Sequence, residues 1–307
     1  MDLTTLRYAD QKLRGVRASL AQRRDVIAAL SGYKASRLIL TDRGIRFLKV
    51  LLNEIPFGLS IGREHYQLSR TAAKGGFSNS MLPAIKGRRE VFLSRDLSLA
   101  PLLTRRRNDH QFIGDSLKIP ACCVEFYLAQ SEQAAERGFD YSGLIRTPVS
   151  LEAPLLSNTL ARYFDRGIVD HFPCRYDCRK TAVVARQLMD ILRSVDKPLA
   201  VNLVAEGTFI YSDDQGVFWL APLSEKGKGD CRLKEATTNG TDLAKQLRSA
   251  STVTTLRDRK GGVTLELCGS EHSTPFSVFE SMKVVTFRSV ASDCANFPEL
   301  ASHLSCR

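Results

Sequence analysis

At 307 residues the chain can bury a large core and exceeds the common single-domain size, which excludes a small disulfide-stapled scaffold and points to two or three packed regions. Its net charge of +11 is unevenly placed: residues 1–110 carry 21 Lys and Arg against 9 Asp and Glu, and the remainder 23 against 24. The opening stretch MDLTTLRYADQKLRGVRASLAQRR is charged throughout and lacks the apolar run of a secretory signal, and no later stretch approaches the ~20 apolar residues of a membrane span, so a cytoplasmic location is expected.

In chain order, Leu3, Leu6, Leu13, Val16, Leu20, Ile27 and Leu30 recur at helical intervals with basic residues between them, which predicts one or two amphipathic helices. Leu38 to Leu40 read as a short strand leading into a helix capped by Thr41 or Asp42. The Gly- and Ser-rich TAAKGGFSNSMLPAIKGRRE has neither Walker nor dinucleotide spacing and is predicted to be a loop. Lys74, Arg88 and Arg89 in it are candidate anion ligands, as is the run Arg105, Arg106 and Arg107; an exposed loop and a solvated helix surface are the plainer alternatives. Residues 98–195 read as mainly helical, with segments toward Leu117, after Pro120, over roughly 155–166 and after Pro173. Beyond Lys197, PLAVNLVAEGTFIYSDDQGVFWLAPL contains three β-prone runs, followed by a short helix near 241–249, a hairpin in STVTTLRDRKGGVTLELC and a strand in MKVVTFRSV. The expected class is α+β: a basic α/β region over 1–117, a helical metal or cluster region over 118–196, and a β-rich region over 197–307.

The most informative chemistry is in the cysteines. Eight thiols in a reducing compartment read as buried small hydrophobes or metal and catalytic groups rather than disulfides. IPACCVEFY sets Cys122 and Cys123 just after Pro120, in the first turn of a helix whose positive end favours thiolate. HFPCRYDC offers His171, Cys174 and Cys178; a helix running from Pro173 would place the two cysteines on one face. Four thiolates suit an iron-sulfur cluster or a tetrahedral zinc, and adjacent cysteines pointing in different directions favour the wider cluster. His171 is a further ligand or a proton donor beside the ligands, with Asp170 and Asp177 as supporting carboxylates. Redox thiols and simple helix packing are the other readings of the same residues. Cys268, His272, Cys294, His303 and Cys306 form a second, irregularly spaced set that suits zinc less well, and no G-x-S-x-G elbow points to a serine nucleophile.

The order of the two segments, a tandem-cysteine element followed by His-x-Pro-Cys-x3-Cys, resembles a pattern in poorly characterised prokaryotic proteins. The resemblance spans roughly residues 112–190 and implies that Cys122, Cys123, His171, Cys174 and Cys178 belong to one site; it supplies no activity. Three functions follow as expectations: an iron-sulfur or other thiolate-metal protein acting on or binding an anionic ligand, a structural-zinc module binding nucleic acid through its basic third, or a thiol redox enzyme.

Overall fold

Local signals account for the first helices. Asp2 caps α1 (Leu3–Gly15) by accepting from the Thr5 amide, and Ser19 and Gln22 form a reciprocal capping box at the start of α2 (Leu20–Ser31). The chain is described from a computed structural model over residues 1–71, 77–136, 140–148, 150–213, 215–222, 230–237, 241–257, 263–268, 273–277 and 282–288. α1 is amphipathic as expected, burying Leu6, Ala9, Asp10 and Leu13. α2 is not: Arg23 through Leu30 are all buried, because the helix packs between a sheet on one side and later helices on the other.

Between the two helices Arg17 adopts φ 55°, and the amides of Arg17 and Ala18 donate to Arg14 and Leu13 as a left-handed helix-ending motif requires. Glycine is the usual residue there, as Gly32 is at φ 80° after α2. Arg17→Gly is therefore expected to raise stability by ~1 kcal/mol, read as a higher urea midpoint at unchanged slope.

β1 (Ser36–Leu40) leads into α3 (Asp42–Glu54), whose cap is Thr41. β2 (Gly58–Thr71), β3 (Phe77–Ala84) and β4 (Arg88–Ser94) then complete a four-stranded antiparallel sheet in the order β1-β4-β2-β3. The segment predicted as a loop thus holds β3 and the start of β4, with β3 paired to β2 so that Tyr66 stands opposite Pro83 and His65 opposite Ala84; residues 72–76, Lys74 among them, lie outside the described residues. Small and polar residues masked the alternation that marks a strand.

Short helices follow: α4 (Leu99–Arg105), α5 (His110–Ser116), α6 (Ala121–Ala129) and α7 (Ser131–Glu136). Most of residues 140–178 is irregular, with short 3-10 turns at 142–144, 155–157 and 160–164 and the brief strand β5 (Glu152–Pro154). α8 (Arg179–Val195) and α9 (Lys197–Leu203) complete the helical middle. α9 occupies the first of the three predicted β runs, since Pro198 stands in its first turn and Leu199, Ala200 and Leu203 form its buried face.

The remaining strands are β6 (Gly207–Ser212), β7 (Gly216–Pro222), β8 (Asp230–Ala236), β9 (Thr252–Arg257), β10 (Val263–Cys268), β11 (Ser273–Ser277) and β12 (Met282–Arg288), with α10 (Asp242–Ser249) between β8 and β9. They form an eight-stranded sheet with β5, in the order β11-β10-β9-β8-β7-β6-β12-β5. Its pairs are antiparallel except β12 with β5. The fold is α+β, with the helices other than α10 in the first two thirds and the larger sheet mostly C-terminal. The main apolar cluster joins α1, α2 and the smaller sheet to α8, α9 and the inner strands β6, β7 and β12. No helix of the described residues is long and apolar enough to cross a membrane.

Candidate metal centre

Pro120 starts α6 without needing an amide donor, and its carbonyl accepts from the Cys123 amide at 2.7 Å. Cys122 and Cys123 therefore sit in the first turn of α6, at the positive end of its dipole. Cys178 is the N-cap residue of the 17-residue α8, so a second helix start points at the same place. Cys174 does not arrive by helical spacing as expected. Residues 174–178 form a turn held from outside: the Tyr176 amide donates to the Arg146 carbonyl at 3.1 Å, and the buried Tyr176 hydroxyl donates to the Ser142 carbonyl at 2.9 Å. Tertiary hydrogen bonds replace the helix that local spacing suggested.

The sulfurs of Cys122, Cys123, Cys174 and Cys178 lie within 4.8 Å of one another, close enough to hold a metal ion. Cys122 Sγ stands 3.9 Å from both Cys123 Sγ and Cys178 Sγ, and Cys123 Sγ is 3.8 Å from Cys178 Sγ. The adjacent pair thus converges, contrary to the expectation that neighbouring side chains would diverge. Cys123 and Cys178 are buried, Cys122 and Cys174 half-buried. Among the described residues this is the one such group of His, Cys, Asp and Glu.

Three of these thiols shift one another in opposite directions, Cys178 toward thiolate and Cys123 and Cys174 away from it. A hydrogen bond from Cys123 brings Cys178 down to about 4 despite its burial. That same bond, with burial, pushes the Cys123 thiol well up, and burial together with the Cys178 charge pushes Cys174 up to about 12. A cation would relieve this crowding by neutralising the charges.

His171 lies outside the four-sulfur group but is linked to it. Its Nε2 is 3.1 Å from Thr181 Oγ1, which is 3.4 Å from Cys123 Sγ, and all three side chains are buried. The Cys174 amide adds a donor to Cys123 Sγ at 3.4 Å. Burial keeps His171 below its ordinary value, while burial of Asp170 is outweighed by Lys34, His171 and Arg24, which hold that carboxyl well below the usual range. Asp170 pairs with the buried Lys34. Asp177 instead binds Arg175 at the surface. Thr181 escaped the sequence reading, although its place three residues into the helix after Cys178 puts its hydroxyl on the cysteine side.

Cys123 and His171 also line a cavity of about 370 Å³ between the four-stranded sheet, through Arg37, Glu90 and Phe92, and the α5–α6 pair, through Ile113, Val124 and Tyr127. The helices cross closely at Gly114, where a Cβ would meet Val124 Cγ2 at 2.4 Å. Gly114→Ala is expected to cost ~1–3 kcal/mol by overpacking, a loss that Val124→Ala added to it should reduce in the same denaturation assay.

Of the candidate anion ligands among the described residues, three have partners within the protein. Arg106 pairs with Asp109 and lies over the Phe112 ring, Arg107 pairs with Glu64, and Arg89 donates to the Gly62 carbonyl at 3.0 Å. Arg105 and Arg88 are exposed. Part of the basic excess is internal, since Arg23, Arg24 and Lys34 are buried against carboxylates. Of the second metal set, Cys268 is in β10, and His272, Cys294, His303 and Cys306 lie outside the described residues. Cys231, in β8, is buried with its sulfur 3.9 Å from Thr208 Oγ1.

The chain matches no family model, no curated protein and no solved structure.

Proposed function

We propose that the chain is a thiolate-metal protein in which Cys122, Cys123, Cys174 and Cys178 hold one tetrahedral ion, zinc in the first instance. The ion clips α6 to the start of α8 and keeps the shape of the cleft beside Cys123, where a small molecule binds. The observation that supports this reading is the sulfur spacing. Zinc–sulfur bonds of ~2.3 Å put tetrahedral thiolates ~3.8 Å apart, and three of the pairs here stand 3.8 to 3.9 Å apart. An iron-sulfur cluster needs its thiolates spread around an inorganic core. Four thiolates also leave no open position, so such an ion staples rather than activates water. His171, acting through Thr181, orients the Cys123 sulfur.

Anaerobic purification with metal and acid-labile sulfide analysis tests this. One zinc per chain without sulfide is expected; a brown protein with stoichiometric iron and sulfide would replace the single ion by a cluster. The thiolate held at Cys178 beside the Cys123 thiol favours a second reading, a redox pair. That reading requires metal-free protein to lose two titratable thiols reversibly on mild oxidation.

A further inference from the structure

A second cavity lies away from the cysteines, between the turn joining α1 to α2, strand β1 and the start of α3. It measures about 250 Å³, and the apolar side chains lining it include Leu13, Phe47 and Leu48. Its polar lining is one-sided: Arg17, Arg43 and Arg88 contribute to it, and no aspartate or glutamate does. These three arginines differ from Arg106 and Arg107, because among the described residues none of them is paired with an acidic side chain. An uncompensated cluster of guanidiniums repels itself, and an anion seated among them relieves the repulsion with charge-assisted hydrogen bonds.

Arg17 adds an independent pointer. It holds the left-handed position where glycine is usual, so its side chain is retained at a cost to the backbone, and strain of this kind concentrates where a side chain has a task. We infer that this pocket binds a small anionic amphiphile, its acidic head held by Arg17, Arg43 and Arg88 and its short apolar body seated on Leu13, Phe47 and Leu48. The volume falls below the ~300–1,000 Å³ of pockets for drug-sized ligands, which limits the body to a short chain or a compact ring.

The site is separate from the cysteine centre, so its test does not depend on metal. The full chain is titrated with the anionic dye 1-anilinonaphthalene-8-sulfonate, and octanoate, 1-octanol and a deoxythymidine oligonucleotide are compared as competitors. Octanoate is expected to displace the dye and 1-octanol to do so far more weakly. The triple variant Arg17→Gln, Arg43→Gln, Arg88→Gln changes only exposed side chains; it should weaken octanoate binding by about tenfold or more, with unchanged far-ultraviolet dichroism. Arg17→Gly alone should weaken octanoate binding while raising stability, which separates ligand recognition from folding. Equal displacement by 1-octanol, or unchanged octanoate affinity in the triple variant, would overturn the inference. Displacement by the oligonucleotide but not by octanoate, lost in the triple variant, would overturn it as well by making the arginines a phosphate-backbone surface.

Discussion

Cys178→Ser is expected to abolish stoichiometric metal binding and to lower the unfolding midpoint of the whole chain. Cys178 touches two of the other three sulfurs at 3.8 and 3.9 Å, so its loss removes a proposed ligand; serine is a good N-cap residue, so the start of α8 is kept and the loss falls on the metal alone. Structural zinc in small sites supplies an apparent ~10–16 kcal/mol. Forfeiting even a quarter of that is comparable with much of the ~5–15 kcal/mol net stability of a typical folded protein. Metal content and a urea melt, each measured with and without chelator, check it: the chelator should destabilise the parent chain and leave Cys178→Ser almost unmoved. Full metal occupancy in the variant would remove Cys178 from the ligand set. Because the thiols of Cys123 and Cys174 are held up, loading displaces protons, and metal affinity should fall as the pH is lowered.

Arg23→Met should be the most costly substitution away from the cysteines, at ~3–5 kcal/mol. The buried Arg23 guanidinium donates to Asp10 at 2.8 and 2.9 Å and to Asp196 at 2.5 Å, fastening α1 and α2 to the junction of α8 and α9. Without it, two carboxylates of 2% and 7% residue exposure are left with Arg14, which is half exposed. The cost lies in those orphaned charges more than in the lost attraction, so adding Asp10→Asn and Asp196→Asn to Arg23→Met should recover a substantial part of it. A loss below ~1 kcal/mol for the single variant would place the network with ordinary surface pairs.

Much of this fold is legible in local pattern. The cap at Thr41, the hairpin of β9 and β10, the strand at Met282–Arg288 and the helix after Pro120 follow from turn chemistry and periodicity over a few residues. The cysteine types and their order pointed to one site, but the way Cys174 joins it did not show. That depends on Tyr176 reaching Ser142 and Arg146, contacts some thirty residues away that leave no periodic trace. The same limit applies to charge. Composition reveals the basic third, whereas only the assembled sheet shows that Glu64 answers Arg107 and Glu90 answers Arg37. α9 was obscured because a buried helix turn and a buried strand present similar apolar runs.

The position of β12 has a consequence for biosynthesis. It lies between β6 and β5 and fills the core with Val285 and Phe287, yet the ribosome completes β6 at Ser212 and then makes the whole meander through β11 before reaching Met282. At ~5–20 residues per second that interval lasts several seconds, during which the nascent chain presents an unpaired edge of β6. All four clustered cysteines precede β6 in the chain. If these cysteines hold the proposed ion, the order of synthesis lets it join the helical middle while the larger sheet is still waiting for its interior strand, so that metal supply would act at an earlier stage than closure of that sheet.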